Sequence, residues 1–324
     1  MERLVRWFDD RQSERWWLAY PVATVRKYAD DRGSAFAGLV TFQAFLALLP
    51  TLVVVLTVVS HLTDGSSRIR AAVVGSTLSQ LPVVGQRIRD DVSTVGATGP
   101  WAAVAIAGLL WTAAGIYHST QLALNQVWNV EGVHRQGFVS RHIRAGILFA
   151  LFISAAIGTS FLPMRQALGV LPPVLADSVS AVGGAVIAAV LLLGVLRLVV
   201  APVVPLRCLV PSAILAGLLW QLLQLIGTWF VTERLANASD LYGSIGFIVV
   251  TLSWINLLAR TMIFSNEWAV VAVRELWPRR IAQPPLTAAD KRVLSELARN
   301  ERRRPEQHVH VTFDDDDDDD TLAS

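Results

Sequence analysis

The sequence predicts an all-α, polytopic membrane protein: six transmembrane helices, additional amphipathic interfacial helices, and N- and C-termini in the cytoplasm. Three observations predict it. The chain has 324 residues of which 53% are hydrophobic and only 17% charged, where soluble domains carry about 25% charge. Six apolar runs reach or approach the length that crosses a hydrocarbon core, roughly 20 helical residues for about 30 Å. Lysine and arginine gather in alternate connections between those runs. Backbone groups in lipid must be satisfied internally, and the period-two pattern of a barrel is absent, so the runs are read as helices.

In chain order, residues 1–34 form a cytoplasmic interfacial segment in which Arg3 to Trp17 mixes tryptophans with charges, as a helix lying on a membrane surface does. Residues 35–277 make the six-helix domain, with spans expected at Ala35–Ser60, Trp101–Trp128, Ile143–Pro163, Val179–Leu198, Pro211–Val231 and Ile245–Val273. The connection Thr63 to Gly99 is longer than a turn, and Ile69, Val73 and Leu78 suggest an amphipathic outer helix. Residues 278–304 are a Pro-rich cytoplasmic linker and a helix that opens on a capping box, Thr287 to Asp290, with Val293, Leu294 and Leu297 as its apolar stripe. Residues 305–324, with seven aspartates from Asp314 to Asp320, are expected to be a disordered acidic tail.

Orientation follows from charge. Of the 28 Lys and Arg, 21 lie in the N-terminal segment, the His134–Arg144 and Arg197–Arg207 connections and the C-terminal region; six lie in the alternate connections. By the positive-inside rule both termini face the cytoplasm. The remaining one, Arg260, falls inside the sixth span.

Polar residues inside spans are the candidate site. Along the second, Trp111, Ala114, His118, Gln121, Asn125 and Trp128 share a helical face, and polar side chains at such spacing turn inward. Two readings stand: a polar cavity wall with a proton-sensitive His118, or hydrogen bonding between helices. Gln221, Gln224 and Thr228 add a face of the fifth span, and Gln43 and a mid-helix Pro50 mark the first. In the sixth, Ser253, Asn256, Arg260 and Glu267 lie at spacings of three, four and seven. Arg260 near mid-membrane costs about 2.5–3.5 kcal/mol on insertion scales. Seven residues rise about 10 Å, so a third group, Gln221, Gln224 or Asn125, is expected to complete the set with Glu267.

Other chemistries are excluded or unsupported. One cysteine, Cys208, forms no intrachain disulfide. No phosphate loop, nucleophile elbow or HExxH pattern occurs, so no cofactor and no ATP-driven cycle is expected. The stretch His308 to Asp316 imitates metal ligands, but Thr312 and Phe313 stand where a His-x-His-x-Asp-His hydrolase needs Asp and His. An enzyme is not expected. Three arginines, Arg302 to Arg304, do not make a nucleic-acid partner.

Four stretches carry a resemblance: Phe36 to Val55, Leu109 to Val130 with Leu124, Asn125 and Trp128, Pro211 to Trp220, and Leu241 to Trp254. The last holds a Tyr-Gly-Ser-x-Gly opening, Tyr242, Gly243, Ser244 and Gly246, and Glu267 follows thirteen residues after Trp254. Together they resemble the BrkB/YihY-type envelope-integrity membrane proteins, their YhjD-like branch included, a family once mislabelled as a ribonuclease. The resemblance implies a plasma (inner) membrane protein of the cell envelope, with membrane lipids as partners and a lipid or other amphiphile as transport substrate; the alternative is a structural, non-transporting role. The family pattern has an aromatic where Asn256 stands, an aliphatic at Arg260 and Gly-Ala at Ser265-Asn266. It therefore carries Glu267 over, and not Arg260.

Overall fold

A computed structural model describes residues 2–62, 100–132, 140, 143–148, 151, 173–230 and 239–313. Among them there is no strand. The helices are α1 (Glu2–Ser13), α2 (Trp16–Asp30), α3 (Gly33–Leu62), α4 (Pro100–Val127), α5 (Pro173–Val199), α6 (Leu206–Phe230), α7 (Ser239–Arg274) and α8 (Ala288–Asn300). Residues 143–148 are helical as well. The expected helix of the 63–99 connection, and most of the expected third span, lie outside the described residues.

Three stretches of described helix are long and apolar enough to cross a membrane: Val182–Val199 in α5, Leu206–Gly227 in α6 and Ile248–Arg274 in α7. They coincide with the expected fourth, fifth and sixth spans. Helices α3 and α4, 30 and 28 residues long, occupy the places of the first and second. At 1.5 Å per residue each extends roughly 40–45 Å. The N-terminal segment differs from expectation: the stretch Arg3 to Trp17 is not one helix but nearly all of α1, a break at Glu14–Arg15 and the start of α2.

Helix α7 is the hub. It packs on α2, α3, α4 and α6, while α3 pairs with α4 and α5 with α6. Small residues permit the closest approaches, as is usual where lipid supplies no hydrophobic drive. A Cβ on Gly217 of α6 would lie 2.9 Å from the backbone nitrogen of Ala189 and 3.0 Å from the carbonyl oxygen of Ala185 on α5. On α4, Gly115 sits beneath the Gln43 amide of α3, and the Pro50 ring lies against Gly108. Helix α3 runs on past Pro50.

The helix ends show why one end of the bundle is well packed. Helix α4 closes with Asn129 at φ 49, its N–H donating to the Gln126 carbonyl and that of Val130 to the Asn125 carbonyl. Helix α7 closes the same way through Glu275 at φ 53 and Leu276, whose N–H donates to the Val271 carbonyl. Both are Schellman caps, and in each the residue that follows, Val130 or Leu276, is a buried apolar one. Arg32 at φ 56 turns the chain from α2 into α3. These ends meet the C-terminal end of α5 in a shared core that includes Tyr117, Leu124, Trp128, Leu196, Ile263 and Val270.

The flanking segments join that same end. Both oxygens of Asp9 on α1 accept the N–H groups of Ile281 and Ala282, and buried Arg279 pairs with Asp30 and Asp290, each at 2.8 Å. The capping box of α8 is formed, Thr287 Oγ1 accepting the Asp290 N–H and Asp290 answering to the Thr287 N–H. Residues 305–313, the first part of the expected disordered tail, run without regular structure, with the Phe313 ring 5.9 Å from Lys291 Nζ.

Candidate functional site

Glu267 is fully buried at the end of the bundle just described, and its cation is Lys27 of α2. Lys27 Nζ donates to Glu267 Oε2 at 2.9 Å, to the Val127 carbonyl at 2.8 Å and to the Asp31 carboxylate. Lys27 is 0% exposed and Asp31 1%. One ammonium thus faces two carboxylates where α2, α4 and α7 meet. Helix periodicity builds the local pair, since Lys27 and Asp31 stand one turn apart. Tertiary packing adds Glu267. Burial alone would lower the Lys27 ammonium, but the carboxylates of Glu267 and Asp31 outweigh it and hold it above its ordinary range. Among the described residues Glu267 Oε1 and Asp31 Oδ1 accept no hydrogen bond, an uncommon condition for buried carboxylate oxygens and one that a polar ligand group would relieve.

Further hydrogen bonds tie the helices together around this cluster. Trp128 Nε1 donates to Asn266 Oδ1 at 3.0 Å, and Asn266 Nδ2 to the Met262 carbonyl. Asn125 Oδ1 accepts the Ala201 N–H at 3.0 Å, tying α4 to the turn after α5. Tyr20 and Tyr28 of α2 pack edge-on against Trp268 and Phe264 of α7, so α2 covers α7 over those last turns.

The expected site residues separate into groups. Gln121, Asn125 and Trp128 are buried on α4, beside the cluster or one to two turns from it, while His118 is half-buried further along. Trp111 departs from the expected inward stripe: it is 83% exposed. Asn256 is half-buried and donates to Thr41 Oγ1 of α3 at 3.0 Å. Gln221 faces α5, its Oε1 3.3 Å from where a Cβ of Gly184 would stand, and Gln224 is half-buried on α6. Neither Gln reaches Glu267 through a hydrogen bond among the described residues. Tyr242, Gly243, Ser244 and Gly246 fall in the first turns of α7.

Arg260 is the main correction. It shares a nominal helical face with Glu267, yet it is exposed and makes no hydrogen bond or ion pair with Glu267. The reason is the length of α2. Its aromatic contacts on α7 begin at Phe264, one turn beyond Arg260, so the face that is covered at Glu267 is open at Arg260. Lys27 was missed for the converse reason: it precedes the first apolar run and reads as interfacial. Two signals pointed to it, since it is one of only two lysines beside 26 arginines and has an acid four residues on.

No curated protein and no solved structure matches this chain. A family model described as virulence factor BrkB matches residues 24–289. That interval begins three residues before Lys27, so it holds every member of the ion cluster and the described helices from α3 to α7, and it ends one residue short of Asp290 in the α8 capping box. With residues 24–289 of 324 matched, the chain belongs to the virulence factor BrkB family.

Proposed function

We propose that this is a multi-pass plasma (inner) membrane protein of the cell envelope that carries a lipid or other amphiphile across the membrane, with the Lys27–Asp31–Glu267 cluster sealing its cytoplasmic end. The observation that supports the reading is the cluster itself. Buried ion pairs contribute little that well-packed apolar side chains would not supply as well or better. A charged seam does differ in one respect: water can solvate its halves once they part, so it separates at less cost than an apolar one. Intramembrane ionisable groups generally mark pathways for the same reason. The cytoplasmic placement rests on charge, because the described Lys/Arg-rich segments, residues 2–32, 197–207 and 274–304, flank the end of the bundle that holds the cluster.

A second reading, a structural envelope protein without transport, draws on a different observation. Several polar groups of the spans are already bonded to one another, Asn256 to Thr41, Trp128 to Asn266 and Asn125 to the Ala201 N–H. The two readings part in proteoliposomes holding fluorescent phospholipid in both leaflets. Transport predicts protein-dependent exposure of inner-leaflet label to a membrane-impermeant quencher, reduced at least ten-fold by Glu267→Gln with the fold intact. Equal accessibility with and without protein would sink the carrier reading for phospholipids and leave the structural one.

A further inference from the structure

We propose that the hollow between Ser140, Ile143, Arg144 and Ile147 and the C-terminal end of α5 binds the phosphate of an anionic phospholipid. It is an open hollow of about 530 Å³, lined on its polar side by Ser140, Arg144 and Arg197, with no carboxylate among the described residues that line it. The volume is that of a small-ligand pocket. Arg144 is held in place by the chain: its Nη1 donates to the Leu198 carbonyl at 3.1 Å, and that carbonyl also accepts the Tyr117 hydroxyl at 2.9 Å. Arg197 is exposed and makes no ion pair or hydrogen bond among the described residues. Two guanidiniums, one pinned and one free, suit an oxyanion that accepts several N–H bonds at once.

The apolar side makes the ligand a lipid rather than a soluble phosphate. Ile143 and Ile147, one turn apart, line the hollow and are exposed. On α5 the face that carries Arg197 continues two turns back to Val190, then Val186 and Val182, each more than half exposed. Leu151 packs beside that face, 3.1 Å from where a Cβ of Gly194 would stand. Basic groups at the end of a span and an apolar strip descending from them are the complement of an anionic head and its acyl chain. Neither transport nor the ion cluster is needed for it.

The test is native mass spectrometry of the full chain, purified and titrated with phosphatidylglycerol or phosphatidylcholine, on wild type, Arg197→Gln, Arg144→Gln/Arg197→Gln and Arg260→Gln. Arg197→Gln breaks no hydrogen bond or ion pair among the described residues, so a loss of binding in it is not a loss of such a bond. Phosphatidylglycerol retention is expected to weaken at least three-fold in the single variant and about ten-fold in the double one. Phosphatidylcholine retention, and the Arg260→Gln variant, should be unchanged. Unchanged phosphatidylglycerol binding in Arg197→Gln, or an equal loss in Arg260→Gln, overturns the site. Displacement of the lipid by millimolar glycerol phosphate overturns the lipid assignment in favour of a soluble phosphate ester.

Discussion

Replacing Lys27 by Met removes the one ammonium that holds two buried carboxylates. The side-chain volumes are similar, so the packing of α2 on α7 is kept and the change is nearly electrostatic. Three acceptors lose their donor at once: Glu267 Oε2, the Val127 carbonyl and Asp31. Breaking a buried pair by taking one partner costs about 3–5 kcal/mol, and both carboxylates here are at most 1% exposed, which leaves little water to offset the loss. At about 2–4 °C per kcal/mol the thermal midpoint should fall by roughly 6–20 °C. Tryptophan fluorescence during heating, on protein in one fixed detergent, reads this directly, because Trp128 and Trp268 border the cluster. The triple variant Lys27→Met/Asp31→Asn/Glu267→Gln removes every charge and should recover most of the loss. A Lys27→Met midpoint within about 2 °C of wild type, or a triple variant no better than the single, would refute the view that these charges hold one another.

Other outcomes follow from the same geometry. Arg260→Leu should leave the thermal midpoint unchanged or raise it, since the side chain is exposed and leucine suits lipid; a fall as deep as that of Lys27→Met would place Arg260 inside the bundle after all. Gly217→Leu should destabilise by at least about 2 kcal/mol through overpacking against the α5 backbone, whereas Gly183→Ala, where a Cβ meets nothing within 4 Å, should be neutral in the same melt. For Asp290, burial would raise the carboxyl, but hydrogen bonds from Thr287 and Arg279 outweigh it and hold the group below its usual 3.8. A depressed carboxyl contributes its stability above that value and loses it as pH falls through the lower folded one. Protection of α8 from hydrogen exchange should therefore be flat from neutral pH to about 4, and Asp290→Asn should abolish it already at neutral pH; full protection in the variant would show the cap to be dispensable.

What could be read from the sequence depended on how many residues share one signal. The spans of α5, α6 and α7 were legible because each sums some 20 apolar residues, and single exceptions such as Arg260 do not move such a sum. The α8 capping box was legible because both partners lie within one turn. Individual inward-facing residues were a weaker inference. Trp111 and Trp128 lie on one nominal face of α4, yet one is largely exposed and the other buried, since different neighbours cover the two ends of that helix.

The sequence by itself determined the all-helical membrane class, the segments that carry the apolar length, and Glu267 as a residue out of keeping with its surroundings. These follow from local composition and from the cost of a charge in hydrocarbon, neither of which needs a partner to be known. Only the tertiary structure decided what Glu267 is paired with, and that Arg260 is not part of it. A helical face is a direction, not an environment: α2 is 15 residues long and covers α7 only over its last turns. Its cation, 240 residues away along the chain, reaches Glu267 because the chain turns at Arg32 and lays α2 across the end of the bundle.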